Sequence, residues 1–497
     1  MTNILIISMA LLAIVSAPVV YILGRMIGNR VGWVVFIILV SISLLSIPLI
    51  PTIGEHTILD EYSWNPSPLK LTFGLLADGL SIPVLFTIAF VFGFTALYST
   101  IYMERRMREE DIEESKSAYA NYYTLYILYA GSVLASSLST NLIQFYLFFE
   151  SALVFSWLLV LNYGYGDRSR TSIMYFIWTH LGAVSLLLGI MGAFWQTGSF
   201  EIADLRLITG SPIGFWIGTA LTLGILVKIG AFGFHGWLPN TYSESPAPVS
   251  AVLGATSVLL GTYTMARLLP PLREVMFGAS GWFELWALIT ILYAGIMALV
   301  QKDTKRLVAY LSMSQMNYCF LGVFTYVEHG VLGAISYSIS HGLAIALLFL
   351  VSGSVLYRTG SRNMDKLGGL AAKLPSSIIA TLVGFLTIGG VPPSVGFKSK
   401  FILLTGAFER GFMHSPLEIT VAILAASLAT VITLAYEFRT VWRVFYGKLP
   451  ERLQQIKEVP IPMIIALLAL SALSIIMGIW PASITNPIDA YIKPLME

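Results

Sequence analysis

Apolar runs of about twenty residues follow one another along almost the whole chain, and that is the length an α-helix needs to cross a bilayer. Nothing constrains a fold more tightly, because in hydrocarbon each backbone N–H and C=O must find its partner within the chain itself. The sequence predicts an all-α polytopic membrane protein of about 14 transmembrane helices. The spans fall near 3–24, 32–50, 76–102, 119–138, 142–163, 172–195, 212–238, 246–267, 282–300, 307–326, 331–357, 376–408, 418–442 and 460–481. Only 11% of the 497 residues are charged, against about 25% in a soluble domain, so little is left for one. The first span has no basic cluster before it and Arg25 after it, which reads as a retained helix rather than a cleaved signal.

Lysine and arginine counts orient the spans. With both termini outside, twenty of the 29 basic residues fall in inner loops: 25, 30, 105, 106, 108, 116, 168, 170, 302, 305, 306, 358, 362, 366, 373, 439, 443, 448, 452 and 457. Six fall outside: Lys70, Arg206, Arg267, Arg273, Arg410 and Lys493. A cell inner (cytoplasmic) membrane is the expected location. The mixed run from Glu104 to Asp111 reads as a solvated inner loop, and the outer loop 51–75, with Pro51, Pro66 and Pro68, as an extended cap.

The three basic residues left over lie at membrane depth. Lys228 is the only charge in 207–242, and Lys398 and Lys400 are the only ones in 376–408. Buried charge is costly, so it is normally paired, water-facing and functional. Both sites adjoin helix breakers: Gly230 and Gly233, and Gly389-Gly390-Val391-Pro392-Pro393. A matching pair of broken helices points to an inverted-repeat transporter. The division is 1–115 for the N-terminal helices and outer loop, 116–268 and 282–445 for two inverted five-helix repeats, and 446–497 for a C-terminal helix.

Glu150 is the only charge between Lys116 and Asp167. Paired with Lys228 across two helices, it would form a switch whose opening and closing changes the lysine's proton affinity, or else a static ion pair. His341 is a titratable group between the two lysine sites, suited to proton relay or to a plain core bond. His180 is a further relay candidate, while His235 could line an inlet or cap its segment. Lys398, two residues from Lys400 and so on another face, is the weaker lysine, able to snorkel. The single cysteine, Cys319, reads as packing and excludes an iron–sulfur cluster, a disulfide and a thiolate zinc site. There is no P-loop and no dinucleotide fingerprint. The expectation is no cofactor, no metal, no nucleic acid and no redox active site in this chain, with electron chemistry left to partner subunits.

Six ordered motifs add a resemblance over roughly 60–480. They are Ala77-Asp78-Gly79-Leu80-Ser81; Phe149-Glu150; Val227-Lys228 with His235-Gly236-Trp237-Leu238-Pro239, then Ser245-Pro246-Ala247-Pro248; Gln301-Lys302-Asp303-Thr304-Lys305-Arg306; Ser340-His341-Gly342; and Gly396-Phe397-Lys398-Ser399-Lys400-Phe401. The chain resembles the antiporter-like subunits of respiratory complex I (NADH–quinone oxidoreductase), of multi-subunit Mrp-type sodium/proton antiporters and of membrane-bound hydrogenases. The resemblance implies fourteen helices, with helices 4–8 and 9–13 as inverted repeats, and proton transfer along a buried polar axis. It makes Glu150 and Lys228 the glutamate–lysine pair and Lys400 the outlet lysine. It also implies neighbouring membrane subunits, homologous antiporter-like ones among them, and peripheral iron–sulfur subunits, with H+ or Na+ as the ion.

The chain departs from that pattern in the eighth helix, where the family usually carries lysine or histidine. Here 250–263 offers only hydroxyls, so Thr256, Ser257 and Tyr263, or His180 from the sixth helix, would have to hold a linking water chain. Ile345 stands where some relatives have lysine, and Lys400 where M-type subunits typically have glutamate. A stop near 497 disfavours the L-type subunit with its lateral arm. Three functions compete: a proton-translocating subunit of a redox-driven complex, a subunit of a stand-alone antiporter, and a structural subunit with disconnected half-channels.

Overall fold

The structure, a computed structural model, describes residues 2–51, 53, 57–65, 71–109 and 115–496. Pro66, Pro68, Lys70, Glu110 and Asp111 lie outside the described residues. Two long helices, α1 (Thr2–Ile27) and α2 (Val31–Ser46), lead to a hairpin of β1 (Ile58–Asn65) and β2 (Leu71–Ala77), paired antiparallel. Then come α3 (Ser81–Glu109), α4 (Lys116–Leu138), α5 (Leu142–Tyr163), α6 (Arg168–Thr197), α7 (Gly214–Lys228), α8 (Leu238–Glu244) and α9 (Ala247–Leu268). A short α10 (Arg273–Met276) precedes α11 (Ser280–Val300), α12 (Thr304–Phe324), α13 (Glu328–Thr359), α14 (Pro375–Gly389) and α15 (Val395–His414). The chain ends with α16 (Pro416–Ala426), α17 (Leu428–Phe445), α18 (Ile461–Ile479) and α19 (Ala482–Met496). Helices dominate as expected. The hairpin corrects the all-α expectation for 51–75, and α19 adds a helix beyond the last expected span.

Among the described residues, nine continuous helical stretches are long and apolar enough to cross a membrane, three of them covering more than one helix, with α7 and α14 as shorter apolar helices. This is a multi-pass membrane protein. Its centre is α9, α12 and α13, buried along almost their whole length, while α1, α6 and α17 turn apolar side chains such as Val15, Leu188 and Phe438 outward. That inversion of a soluble protein's pattern is what a lipid-facing rim requires.

Polar contacts tie the loops at one end, called here the basic end. Asp365 accepts from Lys302 and Arg443 at 2.8 and 3.0 Å, and the Lys302 ammonium holds its carboxyl below the ordinary value. Arg362 pairs with Asp303 at 3.0 Å. The sequence reading of 104–111 as a solvated loop is corrected here. The run opens as the last turns of α3, and Arg106 is buried, donating to the carbonyls of Tyr163 and Gly164 and lying 3.7 Å over the Tyr165 ring. Lys305 is likewise buried, not solvated, and donates to the Ser245 carbonyl.

At the far end two arginines assigned to outer loops are also buried. Arg267 grips Asp78 with two bonds of 2.6 and 2.9 Å, and Arg410 donates to Glu418 Oε1 at 2.9 Å. The side-chain count was blind to this because it weighs charge, not depth.

Candidate functional site

Both broken helices stop in the same way. In α7 the turn closes with Gly230 at φ +66, and the Ala231 N–H reaches back 3.0 Å to the Leu226 carbonyl. In α14, Gly390 takes φ +71, and the Val391 N–H reaches back 2.8 Å to the Leu386 carbonyl. Glycine tolerates this left-handed conformation, and the long return bond satisfies carbonyls that a broken helix would otherwise orphan. A half-helix C-terminus in the middle of a membrane protein carries partial negative charge and attracts cations.

The two lysines use that end differently. Lys228 is the last residue of α7 itself, buried, with its ammonium 5.1 Å over the Phe149 ring. Lys400 belongs to α15 but reaches back across the break, its Nζ 3.5 Å from the Ile388 carbonyl in the last turn of α14. It also donates to Gln315 Oε1 at 3.2 Å and lies 4.3 Å over the Tyr318 ring. The sequence singled out both lysines, and the structure brings each to a break. Lys398 points the other way, on the exposed face with Phe397 and Phe401.

Glu150 does not close on Lys228. The two are near enough to feel each other's charge, yet the partner in contact is His180, whose Nδ1 lies 3.2 Å from Glu150 Oε2. Glu150 Oε1 is buried with no hydrogen-bond partner among the described residues. This corrects the placing of His180 as a link between the two halves: it is partly exposed on α6, stacked on Phe176. His235 sits inside the first break, with Nε2 3.2 Å from the Tyr293 hydroxyl on α11.

The hydroxyls of α9 are also engaged elsewhere. Thr256 bonds Tyr129 on α4, and Ser257 accepts from Tyr242 at 2.8 Å. Tyr263 accepts from Arg267 at 3.3 Å and belongs to the Asp78 cluster. What faces α13 there is Leu259: a Cβ on Gly342, next to His341, would come within 2.8 Å of its Cδ1.

His341 is fully buried, with Nε2 3.4 Å from Ser312 and Nδ1 without a hydrogen-bond partner among the described residues. One turn earlier Tyr337 stacks on it and donates to Gln315 at 2.7 Å. Gln315 in turn donates at 3.1 Å to both Thr433 and Tyr436 on α17. Tyr337, Gln315 and Lys400 therefore form one hydrogen-bonded polar cluster, and the His341 ring stacks on its Tyr337 end. Sequence reasoning missed Gln315, which stands in a helix that also carries Ser312, Ser314 and Asn317, so that a single amide gave no distinct signal. It also missed two buried carboxylates: Glu437 on α17, and Glu284, one turn into α11, beside Glu418 and Arg410. Cys319 is buried in α12, as its apolar setting predicts.

A profile of the family described as NADH:quinone oxidoreductase/Mrp antiporter, TM, matches residues 139–433, more than half of the chain and both breaks. The chain belongs to that family. F(420)H(2) dehydrogenase subunit M of Methanosarcina mazei is 30% identical over 443 residues, covering 86% of this chain and 84% of that protein. A Na(+)/H(+) antiporter subunit of Alkalihalophilus pseudofirmus is 31% identical over 526 residues, covering 99% of this chain but 62% of that longer protein. Among solved structures, a chain of respiratory complex I from Thermus thermophilus superposes with a TM-score of 0.85 at 24% identity, covering 99% of this chain and all of that one. This antiporter-like subunit thus shares its fold with a subunit of a large multi-subunit assembly.

Proposed function

We propose that the chain translocates protons as an antiporter-like subunit of a redox-driven, complex I-type oxidoreductase. The observation that carries this is the pair of breaks, each presenting a half-helix C-terminus to a buried lysine. Such an ammonium is held by partial charges and rings rather than by a closed ion pair, so its proton can leave without a full counter-charge being stranded. Glu150, with His180, loads Lys228 from one flank; His341, through Tyr337 and Gln315, communicates with Lys400.

The reading includes fourteen spans, counting α4, the paired halves α7–α8 and α14–α15, and the near-continuous α16–α17 as one each. It includes inverted repeats at 116–268 and 282–445, both termini outside an inner membrane, and peripheral iron–sulfur partners. A dehydrogenase subunit 30% identical to this chain, with 86% of the chain and 84% of that protein covered, supports the redox reading.

In the assembled complex in proteoliposomes, Lys228→Ala should abolish most donor-driven acidification of a pH-sensitive dye while leaving assembly intact. Wild-type pumping by an assembled variant would refute the role. The apolar contact of Leu259 with Gly342 favours a second reading, two unconnected half-channels. A single path makes Lys228→Ala/Lys400→Ala no worse than either change alone, whereas a structural subunit with disconnected half-channels leaves donor-driven acidification by the assembled complex unchanged in all three variants.

A further inference from the structure

Glu437 is buried on α17, 6% exposed, and its Oε1 has no hydrogen-bond partner among the described residues. A lone buried carboxylate is costly to keep, and nothing about packing α17 calls for one. The glycines of the second break explain where it points. A Cβ on Gly389 would stand 2.8 Å from Glu437 Oε2, and a Cβ on Gly390 would stand 3.1 Å from Lys400 Cδ. The two missing side chains leave room on one side for the carboxylate and on the other for the lysine stem. The pair feel each other's charge without closing an ion pair. A hydrogen-bonded bridge also runs beside them: Lys400 donates to Gln315, and Gln315 donates to Tyr436, the residue before Glu437.

The same helix leads onward to the basic end. Thr440, one turn beyond Glu437, lines a cavity of about 30 Å³ with Thr304, Ser352 and Thr381. Its hydroxyls are bonded already, Thr304 to Ser352, Thr381 to the Ser377 carbonyl and Thr440 to the Tyr436 carbonyl, and the other side chains around it are apolar. Beyond it Arg439 donates to the Gln301 carbonyl and Arg443 pairs with Asp365.

We propose that Glu437 is a proton-carrying carboxylate that exchanges protons with Lys400 and serves it from the basic end, a role that rests on the translocation reading above. In the exchange a proton leaves Lys400 Nζ, directly or through one water, and binds a Glu437 oxygen. A neutral amine and a neutral carboxylic acid remain, and the reverse transfer restores both charges. Gly389 keeps the carboxylate within reach, and Gln315 and Tyr436 hold the two groups in register.

The test uses the assembled complex in proteoliposomes, with donor-driven acidification and infrared difference spectra as readouts. Glu437→Gln should lose most pumping and remove a carboxylic-acid carbonyl band, and Glu437→Asp should restore part of the pumping and shift that band. Gly389→Ala, which keeps the carboxylate but crowds it, should also lose pumping, and it stands in if Glu437→Gln fails to assemble. Wild-type pumping by assembled Glu437→Gln or Gly389→Ala, with Lys400→Ala blocked, would overturn the role of Glu437 and leave the translocation reading standing. So would an infrared band untouched by Glu437→Gln. Normal pumping by Lys400→Ala would sink the translocation reading itself.

Discussion

At the scale of single residues, buried charge divides into two kinds. Asp78 and Arg267 are locked together by two short bonds, with Arg267 also lying 4.8 Å over the Tyr491 ring of α19. Lys228 and Lys400 have no such lock. Breaking a closed buried pair strands one charge, so Asp78→Asn should cost about 3–5 kcal/mol. The double change Asp78→Asn/Arg267→Met should recover most of it. Thermal unfolding of the purified complex checks this, and an unshifted midpoint in Asp78→Asn would show that the pair holds nothing. The lysines were legible in the sequence because each is isolated in an apolar run. Glu437 was not, since Arg439 and Arg443 follow it closely and the cluster reads as a loop margin. Nor was the His180 contact of Glu150, because which side chain across two helices gets closest depends on their rotation, not on spacing.

Helices are the next scale, and here the breaks were read correctly while their closure was not. Glycine and proline runs mark where a helix stops, but only the fold shows how tightly the halves cross. A Cβ on Gly396, in the first turn of α15, would fall 1.8 Å from the Thr387 carbonyl oxygen of α14, and backbone cannot yield. Gly396→Ala should therefore cost at least about 3 kcal/mol and deplete assembled complex. Gly236 in the first break meets nothing within 4 Å, so Gly236→Ala should accumulate like the wild type. Quantitative native gels distinguish the two, and equal accumulation would mean that the halves do not cross as described. The hairpin β1–β2 escaped sequence reading because its strands lie among prolines in a loop, and α19 because Pro487 and Pro494 interrupt its pattern.

Across the whole molecule, the sequence revealed the class of fold because lipid leaves few alternatives, and hydropathy reports that constraint directly. It could not reveal depth, which is why Arg106, Arg267, Lys305 and Arg410 passed for loop residues. Orientation can be tested with the chain's own chemistry. Cys319 is buried and silent, so Gln455→Cys at the basic end and Thr209→Cys at the far end are each the one reactive thiol. An impermeant maleimide added to intact cells should label only the second; labelling of Gln455→Cys alone would invert the topology. The way the protein is made turns on α4. Alone among the long helices of the first half, α4 falls short of the hydropathy that crosses a membrane unaided, because Tyr119, Tyr122, Tyr123, Tyr126 and Tyr129 crowd it. It is instead gripped by α1, where a Cβ on Gly24 would meet Ala120 and Ile14 fills the space left by Gly131. Small residues allow such close approach between helices in lipid. A partner already in the bilayer therefore matters more for α4 than for its neighbours, and α1, made roughly a hundred residues earlier, is the helix in place to receive it.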